Sequence, residues 1–490
     1  YQAKGNGNAP EGIDSLLVDF YNPSTDTWTT QLWFGTTDSV EVDQWDTARF
    51  TVSTLLYQDG FQFRFKNYAS LSGALDHWHI DYVNLEISVE AEINSFNDVA
   101  ITEPLNTILK DYTAVPWDHY KNNTTGNENI LTDLVYNVYN STATGTNFTS
   151  GNWQVSYEDV LQGGSPFNIP NTASPTVNFD PGLTVCTFTG AGDYFYDPAL
   201  GGDQAAFDLK FSFTSGAGPD KNVYKENDTT YFVQDFRNFY AYDDGSAEAA
   251  YGLEGVGSLL AYKFDAYEAG ELTGILMHFV PSVEDLSNNV FLLTVWADNG
   301  GEPGEIIYQD DYFESHTPEY SGSKDGFRYY TFHNDTYLTD GYLPVGEVFY
   351  VGWQNVEVNS LNIGLDWNND NSDKVFRNTT GSWLTSSFDM SLMIRPVFST
   401  ALDYTLSNDR GYSLENTVIK LYPNPVQDQF VIDGLEGEYA ISIYDMSGRK
   451  VTFLENEHIV DVSDLQNGVY IVDVRDVNGE SVYSSKLIKK

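Results

Sequence analysis

Gly437-Glu438-Tyr439-Ala440-Ile441-Ser442-Ile443-Tyr444-Asp445 alternates its side chains with period two, the pattern of a strand with one face in a core and one in water. Similar signs flank it. Leu421-Tyr422-Pro423-Asn424-Pro425 places two prolines where a strand enters or borders a sheet, because proline offers no N–H to a ladder interior. Met446-Ser447-Gly448-Arg449 turns the chain, and residues 461–468 lead into a strand over 469–474. Asn478-Gly479 is a two-residue hairpin signal before a last strand over 481–488. Residues 416–490 therefore read as a small all-β module of immunoglobulin-like type.

The order of these signals (YPNP, IYDMSGRK, VSDLQNGVYIVDV, SSKLIKK) closely resembles the type A C-terminal sorting domain of type IX secretion substrates of Bacteroidota. On that resemblance the sorting residues are Tyr422, Pro423, Asn424, Pro425, Gly448, Arg449, Gly468, Tyr470 and Lys486. It implies an address: a protein carried across the outer membrane to the cell surface or medium, with the secretion translocon and an outer-membrane shuttle protein as partners.

The rest of the chain reads as further β-sandwiches. Short aromatic and β-branched runs are punctuated by Gly, Asn, Asp and Pro clusters, and no long amphipathic helix is legible. Residues 1–95 resemble the second half of a MAM-like jelly-roll, carried by FQFRFKNYASLSG and DHWHIDYV. Residues 96–240 read as an immunoglobulin- or fibronectin-like sandwich. Residues 241–400 resemble a second jelly-roll, residues 401–415 form a polar linker, and the sorting module follows. Residue 1 is a tyrosine in strand-like sequence with no leader ahead of it, so an upstream segment is expected.

The chain carries 71 acidic and 24 basic residues, for a net charge of −47. Such a field disfavours nucleic acid and anionic lipid as partners. One cysteine, Cys186, excludes an intrachain disulfide and a cysteine-based zinc site. No apolar run reaches the roughly 18–20 residues of a membrane-spanning helix. The seven histidines contain no HExxH pair, and GxSxG, Walker and GxGxxG motifs are absent, so no enzyme is expected within these residues.

Two Asx-rich stretches offer oxygen ligands of the kind calcium takes. One supplies Asp243, Asp244 and Glu248 around a glycine; the other supplies Asp366, Asn368, Asp370 and Asp373, part of an EF-hand-like spacing that lacks its glycine and final glutamate. Trp117, Trp153, Trp367 and Trp383 lie in or beside polar sequence and are candidates for stacking on sugar rings. Ser15, Ser39, Thr47 and Thr229 follow aspartate in a pattern similar to the O-glycosylation motif of Bacteroidota. Three functions are compatible with this reading. One is adhesion or binding of polysaccharide or a surface partner. The others are a structural spacer or accessory subunit, and the accessory domains of an enzyme whose catalytic part lies upstream.

Overall fold

The structure, a computed structural model, describes the 490-residue chain except for residues 6, 36–41, 71–75, 82, 84, 86–97, 103–104, 132, 142–144, 170–177, 190–193, 216–224, 283, 324, 340, 400–419, 423–425, 428, 434–438, 446–449, 456–458, 464, 467, 477–480 and 490. The fold is all-β, with antiparallel sheets joined by turns and a few short helical segments. Among the described residues no helix is long and apolar enough to cross a membrane. The chain divides into two compact units, Tyr1–Tyr404 and Thr405–Lys490.

In the first unit, strand Ser15–Asn22 lies between Thr27–Gly35 and Gln62–Tyr68. Its alternation buries Leu16, Val18 and Phe20 on one face. Asp19 points the other way, buried but held by Arg64 and Lys66 at 3.0 and 2.8 Å. Further on, Val99–Ile101, Asp133–Asn140 and Gly182–Thr189 form one sheet, and a five-stranded sheet contains Thr146–Tyr157 and Ala205–Ser215. Val99, Leu134 and Val138 from the first share a core with Val155, Phe207, Leu209 and Phe211 from the second.

Residues beyond 241 build a six-stranded sheet in the order Pro303–Gln309, Phe291–Asp298, Val348–Asn355, Leu259–Asp265, Val375–Asn378, Leu384–Thr385. A second sheet gathers Arg328–Thr331, Leu343–Val345 and Ile394–Phe398 around Gly270–Met277. Aromatic rings join them, with Phe349 6.0 Å from Phe398 and Phe291 5.7 Å from Tyr330. One apolar core runs without interruption from Val99 to Phe398. Tyr112 stacks on Tyr242 at 4.5 Å, and its hydroxyl accepts from Tyr242 Oη and Asp265 N while donating to Asp265 O. Tyr112 thus brings its hydrogen-bond partners into the core with it.

In the second unit, Lys420–Tyr422, Gln429–Asp433 and Ile459–Asp461 form a three-stranded sheet. A four-stranded sheet runs Lys450–Glu455, Tyr439–Asp445, Gly468–Asp476, Ser481–Lys489. Tyr439, Ile441 and Ile443 are buried as the alternation predicts, against Phe430, Ile432, Val472, Val474 and Leu487. The last two strands are antiparallel, with Ile471 opposite Lys486 and Val474 opposite Tyr483. Their connection, which contains Asn478-Gly479, lies outside the described residues.

One charged pair sits inside the first unit. Arg395, in strand Ile394–Phe398, donates through Nε to Asp243 Oδ2 at 3.1 Å and through Nη2 to Oδ1. Neither side chain is more than 2 % exposed. The guanidinium also lies 4.1 Å from the ring of Phe327 and 5.2 Å from that of Phe239. Arg395→Met leaves the Asp243 charge buried without its partner and is expected to cost about 3–5 kcal/mol. The double variant Asp243→Asn/Arg395→Met should recover part of that loss. Urea unfolding midpoints check both; equal losses would mean that packing, not charge, dominates at this position.

Candidate functional site

The candidate sorting residues that can be placed come from separate strands. Tyr422 ends Lys420–Tyr422, Gly468 opens Gly468–Asp476, and Lys486 lies in Ser481–Lys489. Tyr470 is buried, and its hydroxyl donates to Gln466 O at 2.8 Å. Pro423, Asn424, Pro425, Gly448 and Arg449 lie outside the described residues.

In the first unit the two acidic stretches converge. Strand Ala249–Tyr251 pairs with Ile363–Asp366, setting Ala249 opposite Leu365 and the turns at 243–248 and 366–369 side by side. Asp244 N donates to Asp366 Oδ2 at 2.8 Å, and Trp367 N to Glu248 Oε2 at 3.0 Å. Asn368 Nδ2 reaches Asp244 Oδ2 at 2.9 Å and Glu248 Oε1 at 3.3 Å. Ser246 Oγ bonds Asp244 Oδ1 at 2.6 Å and Glu248 Oε1 at 2.9 Å. Gly245 makes this tight turn at φ +90, a conformation few other residues adopt.

Of the candidate calcium ligands, Asp244, Glu248, Asp366 and Asn368 are therefore brought together. Asp243 is turned inward to Arg395. Asp370 and Asp373 face elsewhere, toward Ser372 N at 3.0 Å and Lys374 Nζ at 3.7 Å. The converging oxygens are met by N–H and hydroxyl donors of the chain itself. Among the described residues, no group of three His, Cys, Asp or Glu side chains is arranged to hold a metal ion.

The stacking candidates do not share a groove. Trp117 is fully buried at the start of the short helix Trp117–Asn123, stacked on Tyr120 at 5.5 Å. Trp153 is 1 % exposed inside Thr146–Tyr157. Both belong to the core, which corrects their reading as loop aromatics: polar neighbours in sequence did not keep the indoles out of the interior. Trp367 is half-buried against that same core, and Trp383 is half-buried against Trp296, 5.6 Å away in another cluster.

The glycosylation candidates also differ in access. Ser15 is 1 % exposed in strand Ser15–Asn22, so a glycan has no room there in the folded chain, a second correction. Thr47 is exposed, Thr229 is half-buried, and Ser39 lies outside the described residues.

Two features were not anticipated. A cavity of about 240 Å³ is lined by Ala247, His278, Phe279, Val280, Pro281, Ser321, Ser323 and Asp325. The turn at 310–316 exposes Phe313 at 95 % and Tyr312 at 63 %. Its only sequence sign is an aromatic pair bracketed by acids, Asp310-Asp311-Tyr312-Phe313-Glu314.

The acidic cluster has a pH consequence. Burial pushes Asp366 up to about 7, and the neighbouring Asp244 carboxylate adds to the shift. Glu248 is raised too, by burial first and then by Asp244. Asp366 holds its proton more tightly in the folded chain than in the unfolded one. Its contribution therefore favours the fold at low pH and is lost as pH rises through about 7. Urea unfolding between pH 4.5 and 8 should show a fall in stability that Asp366→Asn flattens. Identical pH slopes in the two proteins would overturn this.

Residues 420–490 match the family model described as a secretion system C-terminal sorting domain. No curated protein matches the chain. Among solved structures, the crystal structure of dimeric latent PorU from Porphyromonas gingivalis aligns at 12 % identity, over 80 % of this chain and 34 % of that one. Its TM-score of 0.15 carries no argument about fold or function. Deleting residues 420–490 is expected to hold the protein in the periplasm, read by cell fractionation; normal surface export of the shortened chain would overturn the assignment. On the strength of the sorting domain at 420–490, the chain is a type IX secretion substrate, exported across the outer membrane to the cell surface or the extracellular space.

Proposed function

We propose that the chain is a non-catalytic binding protein of the cell exterior. In this reading the sorting domain engages the secretion translocon and the outer-membrane shuttle protein, and the β-sandwich body then holds polysaccharide or a surface partner. The observation that carries it is the side-by-side exposure of two large aromatic side chains, Tyr312 and Phe313. Grouped apolar exposure marks interaction surfaces, whereas isolated exposed residues are ordinary.

A second reading, a structural spacer or accessory subunit, is favoured by a different surface. Val135, Tyr139, Leu183 and Val185 are 44–63 % exposed on paired strands, with Tyr139 opposite Leu183. They lie on the sheet face opposite the buried Leu134 and Val138.

Binding of the full chain to an array of polysaccharides, with and without a calcium chelator, tests the proposal. Binding is expected and should survive chelation, because the converging carboxylates already accept hydrogen bonds from the chain. Binding abolished by chelator would restore calcium to the mechanism. A blank array would overturn the polysaccharide reading in favour of the spacer.

A further inference from the structure

The turn at 310–316 joins strand Pro303–Gln309 to the segment that leads into Arg328–Thr331. Its two aromatic rings stand in solvent edge to face, with centroids 6.3 Å apart. The backbone that carries them is hydrogen-bonded within the turn. Asp311 Oδ1 accepts from Phe313 N at 3.0 Å, Glu314 N donates to Asp311 O at 3.0 Å, and Ser315 Oγ donates to Tyr312 O at 3.2 Å.

The base of the turn is pinned equally firmly. His316 exchanges backbone hydrogen bonds with Phe291 at 2.9 and 3.1 Å. Its Nδ1 lies 2.8 Å from the buried Asp310 Oδ2, and Asp310 Oδ1 takes the Tyr308 hydroxyl at 2.7 Å. His333 stacks on His316 at 4.6 Å and bonds Glu314 O through Nδ1 at 3.2 Å. Tyr337, 39 % exposed, lies against Tyr308 at 5.8 Å. Aromatic side chains carry large contact area on two torsions and so lose little freedom on meeting a ligand, which suits a binding anchor.

The turn's own residues bear on the ligand. It supplies acceptors in Asp311 and Glu314, and residues 310–316 contain no lysine or arginine, Lys324 being the next basic residue in sequence. An acceptor-rich, anionic rim suits a molecule that brings hydroxyl donors and an apolar C–H face, and it repels phosphates, sulfates and uronates. We propose that Tyr312 and Phe313 are an angled platform, with rings 84° apart, on which a sugar ring of a neutral polysaccharide stacks against one face and abuts the other ring, with Asp311 and Glu314 accepting its hydroxyls. The proposal deepens the polysaccharide-binding reading and rests on it.

The test uses the full chain against neutral glucans, mannans and xylans, with polyuronates and sulfated glycans alongside. Tyr312→Ala/Phe313→Ala should weaken binding to the neutral glycan about tenfold or more. Its thermal midpoint should match that of the parent, since both side chains are exposed. Leu183→Ala/Val185→Ala, on the outer sheet face, should bind as the parent does. If the parent binds and the aromatic variant binds equally well, the platform is wrong while the polysaccharide reading stands. Binding confined to polyanions overturns the platform as well. If the parent binds no glycan, both fall together.

Discussion

The charge pair of Asp243 and Arg395 is the constraint on which the larger unit is arranged. Two ions removed from water are tolerable only when each meets the other in good geometry. That requirement fixes the turn at 243–245 against the strand Ile394–Phe398, near the far end of the unit in sequence. With Asp243 turned inward, Asp244 and Glu248 are left on the outer side of the turn, where the loop after Ile363–Asp366 meets them. The acidic cluster is thus a product of the buried pair as much as of its own residues.

Around this pair the body is held by aromatic packing and by hydroxyls that bridge segments. The Tyr112 hydroxyl links Tyr242 to the backbone of Asp265, and Tyr240 accepts from Tyr267 N while contacting His119 Nδ1 at 2.9 Å. All of these but the His119–Tyr240 contact cross the sequence division near residue 240. Backbone bonds do the same, with Phe398 N donating to Asn238 O and Ala241 N to Ala114 O. A chain with one cysteine obtains through these contacts the cross-linking that disulfides supply elsewhere.

How much of this was legible depends on range. The period-two pattern at 439–445 correctly placed Tyr439, Ile441 and Ile443 in the core of the small unit, because alternation is a local property of a strand. The all-β character was legible for the same reason. Trp117 and Trp153 were misread because burial is set by distant partners: Phe207 and Phe236 cover Trp117, and Tyr194 covers Trp153. The two acidic stretches looked like independent cation loops, since nothing within either shows that the other will lie beside it. Nor could sequence separate Ser15 from Thr47, which share a motif and differ only in which way the strand or loop presents them.

The layout of the terminal unit bears on what its fold has to assemble. Tyr422, Tyr470 and Lys486 belong to three strands drawn from two sheets, and Lys486 lies opposite Ile471 in the pair formed by the last two strands. Up to 64 positions separate them along the chain, so folding, not sequence proximity, is what gathers them into one unit.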